Sequence, residues 1–440
     1  MATDETLELL RDYESRNVLF TEPDGSWPMV WQRAKGTSVW DAKGEKYLDL
    51  TGAFGVAAAG HANTNVVKAG RRQMGRLLHA MGDVHPHALK AALARELSRL
   101  TFEQWPRRQH GAARAKTIFC NSGFEAVEAA LKTAMLATRK REVIVFTGSY
   151  HGLGYGTLNV THRDFFRRPF HPQLRRFGKF VPFPALHQDD SELLNLEKQI
   201  TRILQRNRTG AVLVEPVQAR GGIIVPPPEF LPMLRGLCDQ FGALLIVDEV
   251  YTGFGRTGKL FACEHSAVVP DLICLGKALT GGFPLSACVG RADVMDAAWP
   301  PSRGEAIHTS TFLGHPVGCA MALAQIAEIR RLDLCARSTD LGIFLLAELD
   351  AIKNEKLKIK TSARGLGLMA GLELRLQNGS PATAETFDAI KWMLKHGYIL
   401  LPEGEFGNII SFTPPLTVSR SKLTRTIRAL RDGLAAQFAK

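Results

Sequence analysis

Between residues 115 and 290 short apolar runs alternate with amphipathic helical patterns, and few architectures tolerate that alternation. The runs 117–120, 143–147, 211–215, 244–248 and 272–275 are nearly continuous in aliphatic and β-branched residues. A strand with one wet face would alternate polar and apolar residues, so these read as strands buried on both faces. The stretches 126–139 and 230–241 instead repeat their apolar residues at helical spacing. Such strands separated by helices predict an α/β fold, its mainly parallel sheet covered by helices on each side.

Beyond residue 330 the pattern changes. Helical stretches at 341–352, 383–395 and 420–438 surround strand-like runs at 357–360, 366–374 and 408–413, which predicts a smaller α+β unit. The first 50 or so residues, with the turn Asp41-Ala42-Lys43-Gly44, are expected to fold against that unit. The expected organisation is residues 1–60 packing with the small domain, 61–330 forming the large domain and 331–440 completing the small one. A chain of 440 residues is long enough for both cores.

Composition narrows the function classes. No apolar stretch reaches the roughly 20 residues that span a bilayer, so no membrane partner is expected. Acidic residues among the leucines of 1–17 argue against a secretory or transit peptide. The 7 cysteines are scattered, odd in number and without metal-ligand spacing, which predicts reduced thiols in a cytoplasm and no metal site. A net charge of +12 admits nucleic acid as a partner. However, the densest basic cluster (Arg163, Arg167, Arg168, Arg175, Arg176 and Lys179, among Phe165, Phe166, Phe170 and Phe177) is broken by Pro169 and Pro172. It reads as a surface loop rather than a base-stacking platform, and no nucleic-acid partner is expected.

The chemistry gathers at the ends of the strands. Asp248 closes the run L-I-V-D-E-V, where a parallel sheet opens its ligand crevice. Downstream, D-L-I-C-L-G-K-A-L-T-G-G-F-P-L-S delivers Lys277 just past a strand, among apolar and glycine residues. Desolvation there would lower the lysine pKa and free its amine as a nucleophile. Asn121-Ser122-Gly123 follows another strand and opens a helix, whose free N–H groups suit a phosphate. Ser122 serves equally as a plain helix cap. Tyr150-His151-Gly152 offers an aromatic face for a planar ring. His61, His85 and His87 show no metal-like arrangement, and the glycine-rich stretch 365–371 lacks the helix a dinucleotide loop needs.

Together with N-S-G-F-E-A-V-E-A-A-L-K, Y-H-G, E-P-V-Q, D-E-V-Y-T-G-F-G-R-T-G and T-F-L-G-H-P, these stretches resemble the class III aminotransferases over nearly the whole chain. These are pyridoxal-phosphate (PLP) enzymes of fold type I. The resemblance implies a mainly parallel, seven-stranded central sheet with helices on both faces, plus the smaller α+β domain. It implies that Lys277 holds PLP as a Schiff base and shuttles the substrate proton, while Asp248 keeps the pyridine nitrogen protonated. By the same resemblance Val250 and Tyr150 flank the ring, with His151 beside it and Glu215 in the layer behind. Ser122, Gly123 and Phe124 would hold the phosphate, which Thr311 of a second copy would reach. The active unit would be a homodimer, or a dimer of such dimers. Glu249 and Arg256 are expected to be structural.

The implied reaction moves an amino group from an amine or amino acid to an oxo acid, with ping-pong kinetics. An amino-acid racemase, epimerase or aminomutase shares the fold and the lysine. A binding or regulatory protein on the same fold would have no use for the lysine, the aspartate and the phosphate loop. Three departures from the family pattern bear on substrate. Arg220 stands where many members have a glutamate, Ser411 where many carry an arginine, and Tyr251 where a glutamine is common. Arg220 is expected to supply the carboxylate contact that Ser411 lacks, its plainer alternatives being solvent, Glu403 or Glu405. By the resemblance Phe54 is expected at the substrate entrance, its plainer alternative being an ordinary core aromatic.

Overall fold

The computed structural model describes residues 3–22, 25–105, 114–185 and 190–439. Among the described residues the central sheet has seven strands. They are β1 (Ala115–Cys120), β2 (Glu142–Phe146), β3 (Gly178–Val181), β4 (Thr209–Val214), β5 (Leu244–Asp248), β6 (Leu272–Leu275) and β7 (Ser286–Arg291). Their spatial order is β1-β7-β6-β5-β4-β2-β3. Neighbours run parallel except β7, which is antiparallel to both β1 and β6. The α/β fold expected from the sequence is the one observed.

The continuity of the apolar runs has a direct cause. In β2, Val143 and Val145 enter one core while Ile144 and Phe146 enter the other. In β4, Ala211 and Leu213 likewise oppose Val212 and Val214. Helix α1 (Gly123–Thr138) covers the first side with Ala126, Val127, Ala130 and Leu131, small enough for a close approach. Helix α2 (Phe230–Phe241) covers the second with Phe230, Leu234 and Leu237. Strands β3 and β7 were not among the expected ones, and α1 begins three residues earlier than its apolar periodicity.

A second, antiparallel sheet joins Ile359–Leu366, Met369–Leu376, Ile409–Phe412 and Leu401–Glu403 in that spatial order. The helices Leu334–Asp350 and Thr383–Lys395 pack on it, and Arg420–Phe438 packs on those helices. A third sheet carries Trp31–Lys35, Ser38–Asp41 and Lys46–Asp49, the last of which pairs in parallel with Tyr398–Ile399. Its turn is held by Asp41, whose Oδ1 accepts from the N–H groups of Lys43 and Glu45 at 2.9 Å each.

The glycine-rich stretch 365–371 is the turn between two strands, pressed on the loop after β5. A Cβ at Gly367, where φ is +58°, would come within 2.4 Å of the Thr257 carbonyl carbon. Arg256 crosses the same junction, its Nη1 donating to the carbonyls of Leu368 at 2.9 Å and Pro414 at 2.6 Å. Among the described residues no helix is long and apolar enough to cross a membrane.

Candidate active site

The parallel strands of the central sheet end on one edge, and the singled-out side chains follow those ends. Asn121 and Ser122 follow β1, Tyr150 and His151 follow β2, Glu215 follows β4, Asp248 ends β5, and Lys277 follows β6. Strand β7 starts at the same edge because it runs the other way, and there Ser286 Oγ donates to the Ser122 carbonyl at 2.6 Å. A cavity of about 370 Å³ opens along this edge. Gly123, Phe124, Tyr150, His151, Glu215, Arg220, Asp248, Val250 and Lys277 all line it. Residues brought together here lie more than 150 positions apart in the chain.

A layered set of hydrogen bonds fixes the floor. Asp248 is buried, with Oδ2 2.7 Å from His151 Nδ1 and Oδ1 accepting the Val250 N–H at 3.1 Å. A carboxylate oxygen accepts, so His151 carries its proton on Nδ1. Behind them Glu215 accepts the Tyr150 N–H at 2.9 Å and the Ala219 N–H at 3.3 Å. Burial pushes the Glu215 carboxyl up to about 7; His151 pulls it down and Asp248 pushes it further up.

Lys277 opens partly onto the cavity, yet its amine is deep enough that desolvation dominates its protonation. The pKa falls to about 8, although Asp248, Glu215 and Glu403 oppose the shift. Its backbone sits at φ +41°, a left-handed conformation unusual for a lysine.

The start of α1 and the loop after β2 form a cradle. Glu125 Oε2 accepts the N–H groups of Asn121 and Ser122 at 2.7 and 2.9 Å, which fixes the chain entering the helix. Ser122 Oγ and His151 Nε2 are buried without a hydrogen-bond partner among the described residues. A Cβ on Gly123 would lie 2.8 Å from Val250 Cγ1, and one on Gly152 would lie 2.3 Å from Phe124 Cβ. Two orphaned polar atoms and two glycines that admit no larger residue fit a group carrying a phosphate and a planar ring.

Of the remaining expected residues, Phe54 and Thr311 lie outside the cavity. Phe54 is 51% exposed and does not line the cavity. It belongs to a turn in which Gly52, Ala53, Phe54 and Gly55 have φ of 55°, 49°, 59° and 77°. Left-handed backbone costs the two non-glycine residues about 1–2 kcal/mol each. The turn touches the site through Tyr251, whose Cε1 would be 2.9 Å from a Cβ on Gly55. Thr311 is exposed and outside the cavity; its neighbour Ser310 accepts from Asn121 Nδ2 at 3.4 Å. Arg220 lies at the cavity with Nε 3.5 Å from Glu403 Oε2, one of its expected plainer partners. Ser411 Oγ donates to the Leu401 carbonyl at 3.1 Å. Glu249 is fully buried and accepts the Thr252 hydroxyl and the Cys263 N–H, the latter at 2.8 Å.

Sequence reasoning gave no role to Leu153 and Thr252 on the wall, and it named the buried Glu403 only as a plainer partner for Arg220. Only the departure at Tyr251 drew attention to that position, and its ring lies beneath Lys277. The basic loop also turns toward this region: Phe166 packs edge-on against Tyr150 at 5.7 Å between ring centres.

A family profile described as aminotransferase class-III matches residues 20–434. The putrescine aminotransferase of Pectobacterium atrosepticum is 35% identical, over 98% of this chain and 88% of its own. The 5-aminovalerate aminotransferase of Pseudomonas aeruginosa is 34% identical, over 92% of this chain and 93% of its own. A PLP-bound amine transaminase from an uncultivated Pseudomonas species superimposes with a TM-score of 0.84 at 27% identity, covering 96% of this chain and 98% of that one.

Proposed function

The chain belongs to the class III aminotransferase family, and from that premise we propose how its residues divide the work of a PLP-dependent transamination. The reaction moves an amino group from an amine or amino acid to an oxo acid. PLP supplies an aldehyde to capture the amine and a ring that spreads the electron pair released at the substrate carbon.

Lys277 supplies the amine that holds the cofactor and then carries the proton at the substrate carbon. Asp248 keeps a proton on the ring nitrogen, and His151 and the Val250 N–H hold its carboxylate in place. Val250 and Tyr150 flank the ring, and Glu215 anchors the Tyr150 backbone. Ser122 Oγ and the N–H groups of Gly123 and Phe124 hold the phosphate. Arg220 meets the acceptor carboxylate. The observation that carries this reading is a desolvated lysine amine and a buried, hydrogen-bonded aspartate on one cavity wall.

The donor is a primary amine at the end of a short aliphatic chain, in line with the putrescine and 5-aminovalerate enzymes it is similar to. The active unit is a homodimer. Met74, Leu77, Leu78, Met81 and Val84 are 40–63% exposed, and Ile307 and Phe312 flank Thr311 with 69% and 53% exposure. Thr311 reaches the site of the second copy across that interface, and Phe54 stands at the substrate entrance. The seven free thiols suit a reducing cytoplasm. The large domain spans 61–330, the rest forming the small one.

Incubating the PLP-loaded enzyme with donor alone tests the reading. Conversion of the cofactor to its amine form with release of an oxo product supports transfer. Exchange of the donor's hydrogen without that conversion points to a racemase instead.

A further inference from the structure

Tyr251 is on the cavity wall with its ring beneath Lys277, and its hydroxyl is the first link of a chain that leaves the site. The next link is Thr413, which follows the strand Ile409–Phe412 and is 1% exposed. Its Oγ1 lies 3.3 Å from the Tyr251 hydroxyl oxygen and 2.9 Å from the Thr51 carbonyl oxygen. A carbonyl only accepts, so the single hydroxyl hydrogen of Thr413 goes to Thr51. Tyr251 is therefore the donor to Thr413. Burial pushes its phenol up to about 12, which keeps that hydrogen in place throughout the neutral range.

The far end of the chain is anchored on a buried carboxylate. Asp49 accepts the Thr51 N–H at 2.8 Å, the Thr51 hydroxyl at 2.6 Å and the Ala53 N–H at 3.2 Å. His61 Nε2 lies 2.7 Å from the same carboxylate. The Thr413 N–H also donates to the Leu50 carbonyl at 2.8 Å, so backbone and side chain of Thr413 both grip this segment. Thr51 leads into the left-handed turn whose Gly55 leaves no room for a Cβ against the Tyr251 ring. A hydroxyl pair at 3.3 Å is long, and the packing on Gly55 shares the work of holding the ring.

We infer that Thr413 is a positioning residue, tying the Tyr251 hydroxyl to the N-terminal segment and thereby keeping the ring face under the Lys277 amine. The inference rests on Lys277 as the lysine that holds the cofactor. It also gives a physical sense to the tyrosine that stands where a glutamine is common, since an amide has no ring face to offer an ammonium. Asp248, Glu215 and Glu403 attract the Lys277 ammonium and Arg220 repels it. Substitutions at 251 and 413 leave all four in place, so the ring is the part that changes.

The test follows the Lys277 amine of the apoenzyme against pH in two ways: acetic anhydride labelling mapped by mass spectrometry, and PLP capture by stopped-flow absorbance. Thr413→Val should lower both midpoints by about 0.3–0.5 pH unit, because an ammonium without the ring beneath it gives up its proton sooner. Tyr251→Phe keeps a ring that attracts cations and removes only the tied hydroxyl, so it should shift the midpoints equally. That variant leaves Thr413 bonded to Thr51 and keeps the idea testable if the valine variant loses its fold. The double variant should shift no further than either single one, and Thr413→Ser should restore the wild-type curve. Shifts that add, or an unchanged midpoint in either single variant, overturn the inference. Borohydride trapping of PLP on a residue other than Lys277 overturns the transaminase reading instead, and the labelling curves, which need no PLP, still decide the role of Thr413.

Discussion

Lys277 Nζ lies 4.0 Å from the centre of the Tyr251 ring, over its face. A ring face attracts an ammonium by about 0.5–2 kcal/mol, so Tyr251 partly offsets the desolvation that lowers the lysine pKa. The free amine prevails above about pH 8. PLP capture by the apoenzyme should therefore accelerate with rising pH and level off above that value, as stopped-flow absorbance will show. Tyr251→Leu removes the offset and should move the curve to lower pH by about half a unit. A wild-type curve still climbing steeply near pH 10 would mean the amine is not desolvated.

Asp248 and His151 should behave as a unit. Asp248→Asn replaces a charged acceptor by an amide, and kcat should fall by about 10²–10³ while the fold survives. His151→Ala leaves one carboxylate oxygen of Asp248 without its side-chain partner and should cost less, about tenfold. Measuring the double variant completes the cycle: a loss well short of the product of the two single losses shows that the histidine acts through the aspartate.

The glycines of the cradle give a prediction in which cofactor affinity and stability part company. Gly123→Ala drives a methyl group into Val250 Cγ1, and that side chain has to shift on the cavity wall. PLP affinity should drop by about tenfold or more, with little change in the melting temperature of the apoenzyme. Gly152→Ala meets the Phe124 Cβ at 2.3 Å at φ +104°, so both quantities should fall. Fluorescence titration with PLP and calorimetry of the apoenzyme separate the two cases.

Arg256 is buried, and burial lowers its pKa to about 10. Arg256→Met leaves the carbonyls of Leu368 and Pro414 without this donor, at about 1–3 kcal/mol each. Thermal denaturation should record a lower melting temperature. The cofactor absorbance of the folded variant should be close to that of the wild type, since Arg256 is not on the cavity wall.

Much of this architecture could be read from the sequence because the sheet is buried on both faces. Strand Leu244–Asp248 and helices Phe230–Phe241, Thr383–Lys395 and Arg420–Phe438 have the bounds their patterns predict. Strand β3 was hidden because Gly-Lys-Phe-Val is a short edge strand inside a basic, aromatic run, and only Val181 is buried. Strand β7 was hidden because Ser-Ala-Cys-Val-Gly-Arg is built of small residues, which its central position between β1 and β6 allows. The site follows the same division. Lys277 and Asp248 announce themselves by lying just past or at the end of apolar strands. Glu403 lies in a loop-like stretch, Leu-Pro-Glu-Gly-Glu, and nothing local shows that its carboxylate meets a loop from the other unit.

The parallel pairing of Lys46–Asp49 with Tyr398–Ile399 bears on how the protein is made. On the ribosome, the early strand keeps one open edge until residue 399 has emerged. Nearly the whole large unit is available to fold before that edge is closed. An exposed strand edge invites pairing with other chains, so aggregation during expression should concentrate on this third sheet while the C-terminal segment is still missing.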